Sequence, residues 1–440
     1  MSNIVVKDVD QINSLVWFRN DLRVNDHTGL KSAIENSSKV IGIYCFNPNL
    51  YIDNELGFKK TDNFRAKFLI QTLKNLKKNL KKINISLVIK IGDPVKELSK
   101  IISENKINNI YFQNEWTKEE KDEENSLKDE CENVTFHGSY DQFLYHPADV
   151  ENEFVSDVFT NFRKYCEKNI EVRNLVDNNF KLSSNNLLSD DYDIPTLNQL
   201  GLDDFELDNR SAFTFSGGSE SARDRLKYYL WKTRKINYYK KTRNGLIGLD
   251  YSSKFSAWLS NGSISAREIY WEIKEYEKDI LKNQSTYWLV FELIWRDYFK
   301  YISLKYGDKI FKIGGILEKS YSWSKDIKIF KEWVEGRTIE PFVNANMIEL
   351  NSTGWMSNRG RQNVASFLAK ELKIDWRWGA SYFESKLIDY DVHSNYGNWM
   401  YVSGVGNDPR DRKFNIKFQA ERYDPKSKYQ NIWLQKRLFV

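Results

Sequence analysis

The chain has 440 residues, of which 41% are hydrophobic and 29% charged, and a formal net charge of +5. It is too long for one ordinary core, has the composition of a soluble globular protein, and contains no apolar run approaching a membrane span. Three scattered cysteines (Cys45, Cys131, Cys166) and four histidines in no ligand pair (His27, His137, His146, His393) argue against a disulfide framework, a zinc site and a metalloenzyme.

The opening, Met1 to Asp10, is polar and not Arg-rich, so neither a secretion signal nor a transit peptide is expected and the expected location is cytoplasmic. SLVWF (Ser14–Phe18), KVIGIYCF (Lys39–Phe46), ISLVIKIG (Ile85–Gly92) and INNIYFQ (Ile107–Gln113) read as buried strands. Helical patterns lie between them; in FRAKFLIQTLKNLKKNLKK the residues Phe64, Phe68, Leu69, Leu73, Leu76 and Leu80 recur at helical spacing. Alternating strands and helices predict an α/β domain with a parallel, doubly wound sheet over residues 1–140. No GxGxxG or GxxxxGK[ST] follows any strand, so neither phosphate loop is present. Residues 141–219 are rich in Asn, Asp and Ser and are expected to be a long surface connector.

From residue 220 to 440 strand signals vanish and long amphipathic patterns predict an all-helical domain. The composition shifts as well. Residues 211–440 hold 12 of the 14 tryptophans and carry a net charge of +13, against −8 for residues 1–210. Basic charge with planar aromatics suits a nucleic acid, a dinucleotide cofactor, or both; helix packing and a solvated face account for part of the same pattern.

Three stretches carry candidate chemistry. In YWLVFELIWRDYF, Glu292 shares a helix face with Trp295 and Arg296, either as an Arg-paired structural acid or as a tuned functional one. In YKKTRNGLIGLDYSSKFSAWLSNGSIS, Ser252, Ser253 and Ser256 surround Lys254 beside a predicted helix start. That is either a phosphate-binding turn or a capped loop. Between Glu349 and Asn398, Asn358, Arg359, Arg361 and Gln362 fall on one or two helix turns, followed by Asp389, Asp391 and Asn395 among apolar positions. Arg361 and Asp389 are a natural pair, and the polar density favours a large polar ligand.

At these residues the chain resembles the photolyase/cryptochrome family, and within it the DASH cryptochromes. The runs that carry the resemblance are WFRNDLRVNDH, TRNGLIGLDYSSKFSAWLSNG, STYWLVFELIWRDYF, ANMIELNSTGWMSNRGRQNVASFLAKEL, IDWRWGASYFESKLIDYDVHSNYGNW and GVGNDPRDRKFN, in family order over most of residues 14–440. The resemblance implies an α/β antenna domain, a linker and a helical FAD domain. It places Tyr239 and the turn Ser252, Ser253, Lys254, Phe255 and Ser256 at the FAD pyrophosphate. Asp389 and Asp391 are placed on the ribityl and isoalloxazine side, with Arg361 locked to Asp389, and Asn395 at the redox-active ring nitrogen. It implies an electron-carrying tryptophan wire, Trp399, then Trp376, then Trp323, with Trp376 preferred over its near neighbour Trp378 by motif alone.

The implied lesion pocket is Glu292, Trp295, Asn358, Arg359, Gln362 and Tyr401, with Arg243 and Arg359 on the DNA and Glu115 of QNEWTKEE on a methenyltetrahydrofolate antenna. Other cyclobutane photolyases usually have Trp at Tyr401 and Met at Gln362; both departures are typical of the DASH group. The (6-4) photolyases need His at Asn358 and Gln362, which is absent, and Ala257 stands where the phosphate turn usually has Pro. The long signalling tail of plant and animal cryptochromes is not expected. The resulting expectation is a monomeric, blue-light-dependent FAD photolyase that repairs cyclobutane pyrimidine dimers, preferentially in single-stranded or locally opened DNA. The alternative is a blue-light photoreceptor or regulator that binds nucleic acid or protein without repair.

Overall fold

The computed structural model describes residues 12–177, 179–408 and 410–435. The polar opening Met1–Asp10, the outer limits of the first and last expected segments, and Pro409 lie outside the described residues.

Five strands, β1 (Asn13–Trp17), β2 (Lys39–Phe46), β3 (Leu87–Ile91), β4 (Asn109–Gln113) and β5 (Thr135–Ser139), form one parallel sheet in the order β3-β2-β1-β4-β5. Helices α1 (Thr28–Glu35), α2 (Asn63–Lys82), α3 (Pro94–Glu104) and α4 (Lys118–Glu130) fill the crossovers. The strand period of two explains the layers. Val16 and Val40 pack with Leu30 of α1 and with Leu73 and Leu76 of α2 on one face. Leu15, Ile41 and Ile43 pack with Ile101 of α3 and Leu127 of α4 on the other. Four of the strands were expected. The fifth, TFHGS, lacks an apolar run because it is an edge strand paired to β4 alone, and most of it is exposed.

The connector is more structured than expected. It contains a helix, α5 (Phe159–Asn169), whose Phe159 and Phe162 are buried, so the weak periodicity read over residues 141–219 concealed a docking element. Its middle part lies on the α/β half, where the Asn186 side chain accepts from Val40 N (2.9 Å) and donates to Val40 O (3.0 Å).

The second half is helical. Its elements are α6 (Ser219–Lys227), α7 (Tyr239–Thr242), α8 (Ser256–Ser260), α9 (Ala266–Asp279), α10 (Gln284–Tyr306), α11 (Ile327–Val334), α12 (Pro341–Thr353), α13 (Asn358–Ser366), α14 (Trp376–Lys386), α15 (Val392–Ser403), α16 (Ile416–Tyr423) and α17 (Lys428–Leu434). The central α10 starts at a capping box, Asn283 with Thr286. It packs against α5, α7, α9 and α15, which explains why it is apolar nearly all round. Trp258, Trp333 and Trp376 are fully buried, so helix packing accounts for part of the tryptophan excess.

The two halves meet on a buried ionic seam. Arg267 of α9 donates to Asp26 (2.7 Å) and Asp141 (2.9 Å), and Arg23 donates to the carbonyls of Gly262 and Asp141. Among the described residues no helix is long and apolar enough to cross a membrane, and no cluster of His, Cys, Asp or Glu is arranged to hold a metal ion.

Candidate functional site

Arg361 Nη2 on α13 donates to both carboxylate oxygens of Asp389, at 2.9 and 3.0 Å, and its Nε donates to Met356 O. Asp391 caps α15 by accepting from Ser394 N (2.8 Å), and it receives Lys300 Nζ from α10 at 2.9 Å. Burial pushes the Asp391 carboxyl up, but Lys300 above all holds it well below the usual carboxylate range, so it is anionic. Asn395, one turn into α15, donates to Ala380 O of α14 at 3.0 Å. These side chains line one cavity together with Asn358, Gln362 and Trp399. The expected polar set is therefore assembled in one place, from α13, α15 and the loop between α14 and α15.

Tyr239 and the Ser252–Ser256 turn lie on neighbouring elements. The turn is held from below by Arg225 of α6, which donates to the carbonyls of Ser252 (3.1 Å) and Ser253 (3.0 Å) and pairs with Asp250 at 2.7 Å. Nothing in the spacing singled out Arg225, because its partners lie more than twenty residues away. Phe255 is buried and precedes α8. Lys254 adopts a left-handed backbone, φ 68°, that sends its side chain inward. Its Nζ sits 3.4 Å from the Tyr251 ring centroid and 4.6 Å from that of Trp355, with no hydrogen-bond partner. Burial drives its pKa well below the usual lysine range. The nearest acid in electrostatic terms is Glu349 of α12, missed by sequence reading. It is itself buried, accepts from Tyr429 of α17 at 2.6 Å and is pushed up to about 7 by burial.

Glu292 does not pair with Arg296, as their shared helix face suggested. Arg296 turns to the carbonyls of Gln142 and Leu259 at the seam between the halves, while Glu292 pairs with Arg243, which follows α7, at 2.8 Å. Burial raises the Glu292 carboxyl above its usual value, and Arg243 opposes the rise. Trp295 meets Tyr401 of α15 edge to face at 6.3 Å, and Phe159 of α5 stacks against Trp295 at 3.6 Å. Arg359 of α13 donates to Asn244 at 3.2 Å and stacks over Tyr423. Burial, with Arg243 and Arg422 close by, lowers its pKa.

Trp399 and Trp376 are buried and Trp323 is partly exposed. Trp376 Nε1 donates to Ile313 O, and its ring meets Tyr396 of α15 at 6.1 Å. A bridge between Ser324 and Ile374 brings Trp323 beside the start of α14. Glu115 comes from the α/β half. It is buried after β4, accepts from Gln113 Nε2 at 2.8 Å, and borders a cleft of about 450 Å³ between the halves that also reaches Tyr44, Lys300, Glu384 and Tyr396. Burial raises its pKa, with Lys300 opposing.

Two family models match: the DNA photolyase model over residues 14–178, and the FAD binding domain of DNA photolyase over residues 288–437. Cryptochrome DASH from Synechocystis sp. is 43% identical over 434 residues, covering 96% of this chain and 87% of the relative. The chain belongs to the DASH cryptochromes. Cryptochrome DASH of Xenopus laevis is 44% identical, with 94% of this chain and 81% of the relative covered. Among solved structures, the Synechocystis cryptochrome superposes with a TM-score of 0.92 at 43% identity, over 96% of this chain and 89% of that one. An archaeal photolyase from Sulfolobus tokodaii, with two FAD molecules, superposes with a TM-score of 0.78 at 28% identity, over 96% and 90%. In this DASH cryptochrome the residues present fit an FAD. The buried Lys254 Nζ lacks a hydrogen-bond partner, and the cavity of Arg361, Asp389 and Asn395 offers both donors and acceptors.

Proposed function

We propose that this DASH cryptochrome is a blue-light-dependent photolyase for cyclobutane pyrimidine dimers, acting chiefly on single-stranded or locally opened DNA. The observation that supports it is the placing of Glu292, tied to Arg243, on the same helix as Trp295, which meets Tyr401 edge to face. FAD, when bound in reduced form, supplies the one electron that opens the cyclobutane ring and takes it back.

The chain's own residues bind and orient. Lys254 and the Ser252–Ser256 turn, with Tyr239 and Phe255, hold the cofactor's phosphate side; Arg361, Asp389, Asp391 and Asn395 hold its ring side. Trp295 and Tyr401 receive the flipped-out dimer. Glu292, its pKa raised by burial, donates a hydrogen bond to the dimer's carbonyl edge, and Asn358 and Gln362 flank it. Arg243 and Arg359 take the backbone phosphates. Trp399, Trp376 and Trp323 relay electrons inward to restore the reduced state. Glu115 faces the pterin of a folate antenna in the cleft between the halves, and the active unit is a monomer. The domain limits at residues 140 and 220 follow the sheet's end and the start of the helical array.

The test is repair of a dimer-containing oligonucleotide, single- and double-stranded, under blue light and in darkness. Light-dependent repair of the single strand supports the reading. Absence of repair by fully reduced, FAD-loaded protein overturns it in favour of a photoreceptor.

A further inference from the structure

The aromatic surface does not end at Trp295. On α10 the residues Trp288, Phe291, Glu292 and Trp295 follow at positions i, i+3, i+4 and i+7, which a helix places on one face. All four are partly exposed, while Leu289, Val290, Leu293 and Ile294 between them are buried. The helix thus turns an aromatic stripe towards solvent, about 10 Å long from Trp288 to Trp295. Its rings are continuous. Trp288 stacks with Phe291 at 4.7 Å and 26°, Phe291 meets Phe159 of α5 edge to face at 5.2 Å, and Phe159 backs Trp295.

Cations flank the stripe from two elements. Lys240 of α7 holds its ammonium 4.3 Å from the Trp288 ring centroid and donates to Gln284 Oε1 at 2.9 Å. Its backbone N donates to Ser285 Oγ at 3.2 Å, which pins α7 along the start of α10. From α5, the Arg163 guanidinium sits 5.4 Å from the Phe291 ring centroid and donates to Tyr287 Oη at 2.7 Å. Glu167 Oε2 stands 3.8 Å from its Nε. Residues 232–243 add six Lys and Arg and no acid to the α7 side. A floor of rings between cations has the composition of a site for single-stranded nucleic acid, where bases stack on the rings and phosphates meet the cations. Core packing does not account for it, because rings that only pack are buried and these reach solvent.

We infer that Trp288 and Phe291 form a subsite for a base flanking the dimer on the same strand, with Lys240 and Arg163 taking the neighbouring phosphates. The inference rests on the lesion pocket of the proposed function and extends it along α10. A single strand is free to turn its flanking base onto the stripe. In intact duplex the same base is paired and stacked, so filling the subsite requires opening a further pair. The subsite therefore favours single strands independently of the wall at Tyr401.

The test is a binding cycle in darkness, with FAD-loaded full-length protein and single strands that carry one dimer and a dye at the far end. Flanking nucleotides are made abasic one at a time, and Kd is read by anisotropy. In the parent, loss of the base at the first or second position on one side of the dimer should raise Kd roughly tenfold. Trp288→Ala should bind the intact strand roughly tenfold more weakly, and the abasic change should then add nothing. Trp288→Phe keeps a ring and should keep most of the contribution of that base, a result that a merely structural role for Trp288 would not give. A parent indifferent to every flanking base, or a base contribution that persists in Trp288→Ala, overturns the subsite. Should Trp288→Ala lose FAD, Phe291→Leu replaces it and must remove at least half of the base contribution. A parent that binds no dimer-bearing strand rejects the lesion pocket and the subsite with it, whereas one that repairs the dimer while ignoring its flanking bases rejects the subsite alone.

Discussion

Arg243 Nη2 lies 2.8 Å from Glu292 Oε1, joining the segment after α7 to the middle of α10. The pair holds the carboxyl that the proposed function uses as a donor, and it joins two groups forty-nine positions apart that no local spacing links.

Truncating that acid should separate binding from chemistry. Glu292→Ala removes one neutral hydrogen-bond donor, worth about 0.5–1.5 kcal/mol, so dimer repair should fall roughly two- to tenfold while FAD stays bound. Burial raises the pKa of Glu292, so the donor form is present below that pKa and is lost as pH rises through it. Repair should therefore decline with rising pH in the parent. Glu292→Gln, a donor at every pH, should flatten the decline. Repair rates across a pH series, with FAD content measured alongside, check both statements.

Strand preference should follow the pocket walls. Unstacking a dimer from duplex costs a few kcal/mol, and base–aromatic stacking returns about 1–3 kcal/mol per base. Tyr401 offers a smaller ring than an indole. Repair of intact duplex should be slower than repair of single strand, and Tyr401→Trp should narrow the gap. Flanking mismatches should narrow it as well. Rates on matched substrates at one salt concentration decide it.

Arg267 ties the halves together through two buried carboxylates, Asp26 and Asp141, at 2.7 and 2.9 Å. Arg267→Leu would leave both acids buried without their shared partner, a change of about 3–5 kcal/mol for a broken buried pair. Denaturant unfolding should show that loss, with the transition moving to lower denaturant or splitting into two steps.

Glu349 offers a pH test of the fold. Its carboxyl is raised from 4.5 to about 7, chiefly by burial. A group raised in the folded state contributes stability that is fully present below about 4.5 and is lost as pH rises through about 7. At roughly 1.4 kcal/mol per pKa unit, its contribution is on the order of 3 kcal/mol. Glu349→Gln keeps a partner for Tyr429 and should remove most of that slope, measured as unfolding free energy between pH 4 and pH 8.

Local patterning made the architecture legible. The alternation of apolar strands with amphipathic helices predicts the parallel sheet, and the 3.6-residue stripes after residue 220 predict the helical half. The edge strand β5 escaped because an edge strand buries little and needs no apolar run. The helix α5 escaped because its buried face is short and set among polar residues.

The polar set of the cavity was legible because its members are close in sequence. Asn358, Arg361 and Gln362 share turns of α13, Asp389 and Asp391 precede α15, and that proximity delivers them to one place. Partners drawn from distant elements were not. Spacing showed that Glu292 and Arg296 share a face of α10, but the tertiary fold gave Arg296 to the carbonyls of Gln142 and Leu259 and Glu292 to Arg243. It also gave Asp391 to Lys300, Lys254 to the rings of Tyr251 and Trp355, and Trp399 to Trp333. The sequence by itself determined which side chains share a face of a helix or strand, because that depends only on backbone period. Which facing element meets them depends on how the whole chain packs, and only the tertiary structure decided that.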